Sequence, residues 1–281
     1  MNTYGVAIVS RNDNYGGNLN EVASYVLNSC IASYDEVVFV DWNSPGNTLI
    51  EDIQNNLLKT GKLKCVVVTP EDHKRFTSDF ELPQDCCEVL GRNVGIRRLT
   101  TDFRASTNID EINPPRNQLE LITDLTKFIT VARHGTDFPH IKSLGNYEEI
   151  DKIRNYLLNN KYPQAWPIKM TDNDVWSLVG WCGDLQIAHK DIWFRIRGYE
   201  ESQKGRGFAD SYIQRKAIEL GIPVEVSYNT SIYHIDHHHN SNTGVPISRL
   251  NDIRCFSDPF YGTTNPETWG LSNERFREFT V

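Results

Sequence analysis

The stretch "EVVFVD" (residues 36–41), followed directly by "WNSPGN" (42–47), decides how this chain begins to fold. Its short apolar run predicts a buried strand, and the Pro-Gly pair after it predicts a turn that ends the strand. Two similar runs, "GVAIVS" (5–10) and "KCVVVTP" (64–70), predict buried strands before and after it. The chain therefore opens with a series of short buried strands.

Helical patterns separate these strands. In the first of them, apolar residues recur every three or four positions, a periodicity that predicts a helix. The predicted helices are this repeat (Leu19, Val22, Ala23, Val26, Leu27), residues 49–58 and residues 88–100, and a fourth strand is predicted at 102–108. Strands that alternate with helices predict an α/β fold, Rossmann-like, with a mostly parallel central sheet flanked by helices.

The carboxyl ends of the four predicted strands are all polar. They are Ser10 to Asp13, Asp41 to Asn43, Thr69 to Pro70, and Asn108 to Asp110. In open α/β sheets ligands bind outside the carboxyl ends of the strands. Polar loops that cap helices would explain any one of these ends, but four together indicate a binding site at this edge.

The domain organisation is expected to be simple. Residues 1–255 are predicted to form one α/β domain. Within it, residues 129–180 have an irregular pattern with one helix at about 147–159, and we interpret them as an insertion on the substrate side. Residues 256–281 are rich in turns and aromatics, and this tail is expected to pack back on the domain.

Charge and cysteine usage exclude several classes of protein. The formal net charge of −8 argues against binding to nucleic acid or anionic membranes, since both need a basic surface. No apolar run approaches the roughly 18–20 residues that span a bilayer, and the N-terminus lacks the features of a signal peptide. The six cysteines form no CxxC pair. We therefore expect reduced thiols and a cytoplasmic location.

The stretch "SIYHIDHHHN" (231–240) holds four of the eight histidines of the chain. It follows a predicted strand and lies far from either terminus. Two interpretations stay open on these residues alone, a metal site and a solvated loop. A metal site requires a partner for the imidazoles elsewhere in the chain.

The order of motifs over residues 4–240 resembles the family 2-type glycosyltransferases of GT-A fold. The motifs that carry the resemblance are "AIVSRND", "VFVDWNSP", "GRNVGIRR", "STNIDEI", "GDLQIAHKDIWFRIRGY", "GFADSYIQRKAIELG" and "IYHIDHHH". Each is weak alone, whereas seven in this order are fairly specific. The resemblance implies an inverting transfer of a sugar from a nucleotide-diphospho-sugar, by base rate a UDP-sugar, to an acceptor hydroxyl in glycan synthesis.

The resemblance also implies a divalent cation, Mn²⁺ or Mg²⁺, that bridges the donor diphosphate. Asp110 matches the last acid of the family's Asp-x-Asp motif, and Asn108 stands where the first Asp usually does. His234 or His237 matches the second ligand, and imidazole favours Mn²⁺. The alternative for Asp110 is a helix-capping role.

A catalytic base follows from the same resemblance. Asp210 matches the acid that takes the proton of the acceptor hydroxyl. It also suits the N-cap of a helix at 211–220, and the two roles are compatible. Ala209 replaces the Glu that usually precedes this acid.

The remaining assignments concern the two substrates. The nucleotide-sugar is expected to contact Ser10, Asp41, Asn93 and Asn108. The acceptor is expected to contact Trp181 and Asp184. A packing or capping role for Asn93 and a core position for Trp181 are equally open.

Two rival functions remain. A catalytically impaired protein that only binds nucleotide-sugars would explain why Asn108 and Ala209 replace the usual acids. A nucleotidyltransferase of similar fold would usually carry a Gly-rich loop after its first strand, and "SRNDNYGGN" lacks that pattern. The glycosyltransferase hypothesis is therefore preferred.

Overall fold

The computed structural model describes residues 2–78, 85–160, 184–201, 209–236 and 265–281. The strands are β1 (Tyr4–Ser10), β2 (Glu36–Trp42), β3 (Leu63–Val68), β4 (Phe103–Thr107), β5 (Glu111–Ile112), β6 (Phe128–Asp137), β7 (Leu185–His189), β8 (Val224–Asp236) and β9 (Arg277–Thr280). The α-helices are α1 (Leu19–Ser33), α2 (Leu49–Ile53), α3 (Pro70–Phe76), α4 (Glu88–Arg98), α5 (Arg116–Leu119), α6 (Phe138–Leu144), α7 (Ile150–Asn159), α8 (Lys190–Ile196) and α9 (Ala209–Glu219).

One sheet of nine strands forms the centre, in the order β5-β8-β6-β7-β4-β1-β2-β3-β9. Six strands point in one direction, whereas β5, β7 and β9 are antiparallel to their neighbours. The predicted α/β fold with a mostly parallel sheet is confirmed. As a result, the carboxyl ends of β4, β6 and β8 and the amino ends of β5 and β7 lie at one edge.

Strand β2 shows why the sheet is covered on both faces. Val37 and Phe39 belong to the apolar cluster on the side of α1 and α2. Val38 and Val40 belong to the cluster on the side of α4, α8 and α9. Alternate side chains of a strand point to opposite faces, so a continuous apolar run such as 37–40 fits a strand that is buried on both.

Helix α2 is shorter than the predicted helix at 49–58. A capping box between Thr48 and Glu51 starts it, and a 3-10 turn follows at Gln54–Asn56. The side chain of Asn28 donates a hydrogen bond to the carbonyl of Asn56 and accepts one from the N–H of Leu58, each at 2.8 Å. This amide on α1 satisfies backbone groups that a longer helix would use.

The interpretation of 129–180 as an insertion is wrong for residues 129–137. They form most of β6, which pairs with β7 and β8 inside the sheet. Only its first half is apolar, because Arg133 and the residues after it approach the polar edge. The helix predicted at 147–159 is confirmed as a 3-10 turn at Tyr147–Glu149 that leads into α7. Residues 161–180 lie outside the described residues.

The described part of the C-terminal tail, 265–281, contacts α4 and the sheet. β9 pairs with β3, and Trp269 is 1% exposed. Arg98 of α4 donates hydrogen bonds to the carbonyl oxygens of Gly270 and Glu274. This pairing adds an antiparallel strand at one side of the sheet.

In the described ranges, no helix is both long and apolar enough to cross a membrane. Four of the six cysteines lie in these ranges, and all four are buried free thiols: Cys30, Cys65, Cys86 and Cys87. The adjacent Cys86 and Cys87 are thus not joined by a disulfide.

Candidate functional site

A cleft of about 200 Å³ lies at the carboxyl ends of β1 and β4. Its polar walls are Ser10, Arg11, Asp13, Glu88, Asn108 and Asp110. Arg11 is the one Lys or Arg among the described lining residues, and its guanidinium lies 3.4 Å from the carboxylate of Asp13 and 3.2 Å from that of Asp85. Among the described lining residues acids thus outnumber bases, a balance that a bound cation would offset for an anionic ligand.

The loops after β1 and β2 are tied together beside this cleft. The N–H of Asn12 donates to the hydroxyl of Ser44 at 2.8 Å, and Nε of Arg11 donates to the carbonyl of Asn43 at 2.9 Å. Asn43 has a φ of 59°, in the left-handed region that Asn tolerates. Ser10, at the end of β1, lines the cleft.

Asp41 is fully buried and does not line the cleft. Its Oδ2 accepts the N–H of Leu49 at 2.8 Å, at the start of α2. Burial raises the pKa of Asp41 to about 6, although hydrogen bonds from Ser44 and Leu49 oppose the rise. Through Oδ2 the carboxylate therefore holds the turn between β2 and α2, and its contact with a nucleotide stays a prediction.

Asn93 of α4 also lies away from the cleft. Its Nδ2 donates to the carbonyl of Tyr199 at 2.8 Å and to the carboxylate of Glu201 at 2.9 Å, and its Oδ1 accepts the N–H of Tyr199 at 2.8 Å. Its side chain is 0% exposed. These contacts agree with the packing role for Asn93 that the sequence left open.

Asn108 lies at the centre of a chain of hydrogen bonds at the sheet edge. Its Oδ1 accepts from Arg92, which also pairs with Glu88. Its Nδ2 donates to Oδ1 of Asp184 at 2.8 Å, and Oδ2 of Asp184 accepts from Arg133 at 2.9 Å. We call Glu88, Arg92, Asn108, Asp184 and Arg133 the bridged network. An amide fits the middle position because it donates and accepts at once.

The pKa of Asp184 responds to two neighbouring acids, Asp110 and Asp210. Burial raises its pKa to about 6, Arg133 lowers it, and the charges of Asp110 and Asp210 raise it further. The register of β4 and β7, with Thr107 opposite Leu185, puts Asn108 beside Asp184. The structure thus brings together three acids that the sequence assigned from three separate motifs.

Asp210 lies in the first turn of α9. Its carbonyl accepts a hydrogen bond from Nε2 of Gln186 on β7 at 2.9 Å, and the hydroxyl of Tyr199 donates to Oε1 of Gln186 at 2.6 Å. The start of α9 is thereby fixed against the strand that follows Asp184.

Asp110, Glu111 and His234 form a second group, which we call the acidic trio. Their ligand atoms lie within 4.8 Å of one another. Nδ1 of His234 is 2.8 Å from Oε1 of Glu111 and 3.8 Å from Oδ1 of Asp110. No helix begins at Asp110: β5 follows it and pairs with β8, with Glu111 opposite His234. Capping therefore does not explain Asp110.

Glu111 is the residue of this group that sequence reasoning missed. It is 0% exposed, and burial raises its pKa well above the ordinary value, with Asp184 and Asp110 adding to the rise. Among the described buried side chains, its Oε2 is one of the few oxygens with no hydrogen bond. Buried carboxylates are costly unless a cation or donors compensate them. Two carboxylates and an imidazole are donors that suit Mn²⁺, so these residues fit a divalent ion.

A second cavity of about 320 Å³ lies on the other side of Ile109 and Asp110. Its walls are largely apolar and include Leu19, Val22 and Phe138, and Asp236 lies at its rim. Asp110 lines both cavities and therefore lies between them. His237 and Trp181, the other expected site residues, lie outside the described residues.

No protein-family model and no curated protein matches the sequence. Solved structures do match. Staphylococcus aureus TarS 1–349 is 15% identical with a TM-score of 0.51, over 83% of this chain and 60% of that one. Its complex with UDP-GlcNAc is 15% identical with a TM-score of 0.50, over 88% and 63%. GalNAc-T7 with UDP, GalNAc and Mn²⁺ is 14% identical with a TM-score of 0.54, over 84% and 44%.

This chain thus spans less than two thirds of each of these three structures, and the identities are low. At such identities the likeness concerns the path of the chain. That path agrees with the order of motifs in the sequence and with the position of the acids at the sheet edge. The chain has the GT-A fold of nucleotide-sugar glycosyltransferases.

Proposed function

We propose that this protein is a metal-dependent glycosyltransferase that moves a sugar from a nucleotide-diphospho-sugar to an acceptor hydroxyl. The observation that carries the proposal is the acidic trio beside an acid-rich cleft at the strand ends. Because acids outnumber bases among the described lining residues, a cation would offset the charge of a bound diphosphate. The matched structures of TarS with UDP-GlcNAc and of GalNAc-T7 with UDP and Mn²⁺ support a UDP-sugar and Mn²⁺.

Asp110 and His234 are the residues that would hold the metal, with Glu111 behind them. When bound, the metal neutralises the charge that develops on the leaving diphosphate. Ser10, at the end of β1, lies where it can orient the nucleotide part of the donor. Asn108 lines the same cleft, and its side-chain amide donates a hydrogen bond to Asp184.

Asp210 is proposed as the base. Its carboxylate is close enough to Asp184 to raise the pKa of that acid, and the contact of its backbone with Gln186 holds it at the sheet edge. In the proposed reaction, the hydroxyl oxygen of the acceptor attacks the anomeric carbon while a carboxylate oxygen of Asp210 takes the hydroxyl proton. The bond to the diphosphate breaks in the same step, so the configuration inverts. Asp184 is proposed to contact the acceptor.

Calorimetry with UDP tests the metal and donor parts together. We expect Mn²⁺ to strengthen UDP binding by about tenfold or more, because the ion offsets the acid excess of the cleft. Asp110→Ala should remove this dependence. Asp191→Ala, an exposed acid on α8, is the matched control and should keep it. Equal UDP affinity of the wild type with and without Mn²⁺ would contradict the proposal.

The stereochemistry needs its own measurement. Proton NMR of the product formed from a UDP-sugar gives the anomeric configuration directly. A product whose configuration is opposite to that of the donor is expected. Retained configuration would remove the direct displacement and, with it, the proposed role of Asp210.

A further inference from the structure

We propose that Tyr199 is a positioning residue, which locks the side-chain amide of Gln186 and through it the start of α9, where the proposed base Asp210 lies. The inference rests on the proposed role of Asp210. It gives a role to Tyr199, the last residue of the motif "GDLQIAHKDIWFRIRGY" (183–199), that the motif alone does not indicate.

The hydrogen bonds between these three residues run in one direction. The backbone carbonyl of Asp210 only accepts, so the group of Gln186 that lies 2.9 Å from it must be the Nε2 amino group. Oε1 of Gln186 then faces Tyr199, whose hydroxyl lies 2.6 Å away and must donate to it. The phenol therefore sets which way the amide of Gln186 points.

The same direction continues behind Tyr199. Arg92 only donates, and its Nη1 lies 2.9 Å from the hydroxyl oxygen of Ser106, which stands opposite Gln186 in the β4–β7 pair. Burial raises the pKa of Tyr199, and the charge of Arg92 and a hydrogen bond with Ser106 oppose the rise. Since the phenol proton is used on Gln186, Ser106 donates to Tyr199. The chain of hydrogen bonds thus starts at a residue of the bridged network.

Tyr199 is also held by its backbone. Its N–H donates to Oδ1 of Asn93 at 2.8 Å, and its carbonyl accepts from the side-chain amides of Asn93 and Asn265. The first amide belongs to α4 and the second to the C-terminal tail. Tyr199 and Gln186 are both fully buried, so neither reaches a substrate. A change at either residue therefore affects turnover only through what that residue holds.

The position of Asp210 matters for the proposed chemistry. Burial raises the pKa of Asp184, and the charge of Asp210 adds to the rise, so the carboxylate of Asp210 lies near that acid. A general base must lie within hydrogen-bond reach of the proton it takes. A displacement of about 1 Å, caused by a distant change, can cost about 100-fold in rate. Loss of the phenol hydroxyl should therefore lower kcat and leave donor binding unchanged.

Two variants and a control test this chain of hydrogen bonds. Tyr199→Phe removes only the hydroxyl, and Gln186→Met removes the amide at nearly the same length. We expect each to lower kcat for sugar transfer by about 10- to 100-fold, with UDP and Mn²⁺ affinities within about threefold of wild type. Tyr4→Phe is the matched control and should keep wild-type kcat. Its buried hydroxyl donates to the carbonyl of Ile122 at 2.9 Å, and Tyr4 begins β1 at the opposite end of the sheet.

The double variant decides whether Tyr199 acts through Gln186. If it does, Tyr199→Phe should lower kcat by less than about twofold further once Gln186→Met is present, whereas independent effects would multiply. Hydrogen exchange gives a readout that needs no turnover. The amides of the first two turns of α9 should exchange about fivefold faster in Tyr199→Phe and in Gln186→Met, but not in Tyr4→Phe.

Wild-type kcat in Tyr199→Phe would overturn the inference, as would losses that multiply in the double variant. A fall in UDP affinity equal to the fall in kcat would also overturn it, because the effect would then be a general one. If Tyr199→Phe does not fold, Gln186→Met decides: wild-type kcat there removes the path through which Tyr199 acts, and reduced kcat with faster exchange supports it. A wild type that neither transfers nor hydrolyses a sugar overturns the proposed function, while the exchange rates still decide whether Tyr199 holds the start of α9.

Discussion

The bridged network and the acidic trio lie side by side at one edge of the sheet, yet their charges are arranged differently. In the bridged network, each carboxylate meets a guanidinium or an amide, and two arginines, Arg92 and Arg133, face two acids. In the acidic trio, two carboxylates share one imidazole. The network is compensated within the protein, whereas the trio has two acids to one imidazole, an excess that the proposed divalent ion would offset.

The comparison explains an unusual residue. Asn108 occupies the place of the first acid of the family motif, a departure that first suggested an impaired protein. In the structure its amide donates to Asp184 and accepts from Arg92. A carboxylate there would face the carboxylate of Asp184 with no proton to donate. The neutral residue therefore belongs to the compensated group, and the proposed metal is assigned to the trio.

Asp210→Asn has the largest expected effect, and it separates turnover from the binding of UDP and Mn²⁺. Asn keeps the size of the side chain but does not take a proton, so turnover should fall by about 10²–10⁴-fold. Binding of UDP and Mn²⁺ should stay within about threefold, because these belong to the trio and the cleft. The paired measurement is sugar transfer or donor hydrolysis, with UDP affinity by calorimetry.

Wild-type turnover in Asp210→Asn would place the base elsewhere. Equal loss of turnover and of Mn²⁺ binding would mean that the two groups are not separate in function. Protein that binds donor but neither transfers nor hydrolyses it with any acceptor tried would favour a nucleotide-sugar-binding protein.

Asp41→Asn tests a buried acid that belongs to neither group. Because its folded-state pKa is raised from 3.8 to about 6, the folded protein binds more protons than the unfolded chain between these values. The stability that Asp41 contributes is present at low pH and is lost as the pH rises through about 6. The variant should therefore gain up to about 3 kcal/mol relative to wild type between about pH 4 and pH 7, measured by urea unfolding.

The same variant separates folding from binding. Since Asp41 holds the N–H of Leu49 and does not line the cleft, UDP affinity should change by less than about threefold. A loss of tenfold or more would restore the direct nucleotide contact that the sequence suggested. A stability difference that does not vary with pH would contradict the raised pKa.

Much of the edge was predictable because chain direction and apolar runs are local signals. The predicted strands at 5–10 and 102–108 locate strand ends, so the sequence alone predicts Ser10, Asn108 and Asp110 at the edge. The same logic places Asp41 at a strand end, but does not show that the N–H of Leu49 bonds one oxygen of its carboxylate.

Other features depend on pairing between distant parts of the chain. Glu111 meets His234 because β5 pairs with β8 across more than a hundred residues, and a two-residue strand has no periodicity to detect. The sequence does not predict the position of Arg133, because its segment lacks a continuous apolar pattern although β6 lies inside the sheet. The contact of Asn93 with Tyr199 is equally non-local.

Asn108→Asp has the smallest expected effect. It tests the difference between the two groups, because it adds an acid to the bridged network. It restores the family motif, yet it removes the hydrogen bond to Asp184 and adds a like charge beside it. Leaving a buried acceptor unsatisfied costs about 1–3 kcal/mol, so the variant should be less stable by about that amount at neutral pH, measured by urea unfolding. Asn20→Asp, in the exposed first turn of α1, is the matched control and should cost little or nothing. If Asn108→Asp instead raises both stability and Mn²⁺ affinity, the added acid is a metal ligand, and the division between a compensated network and a cation-binding trio does not hold.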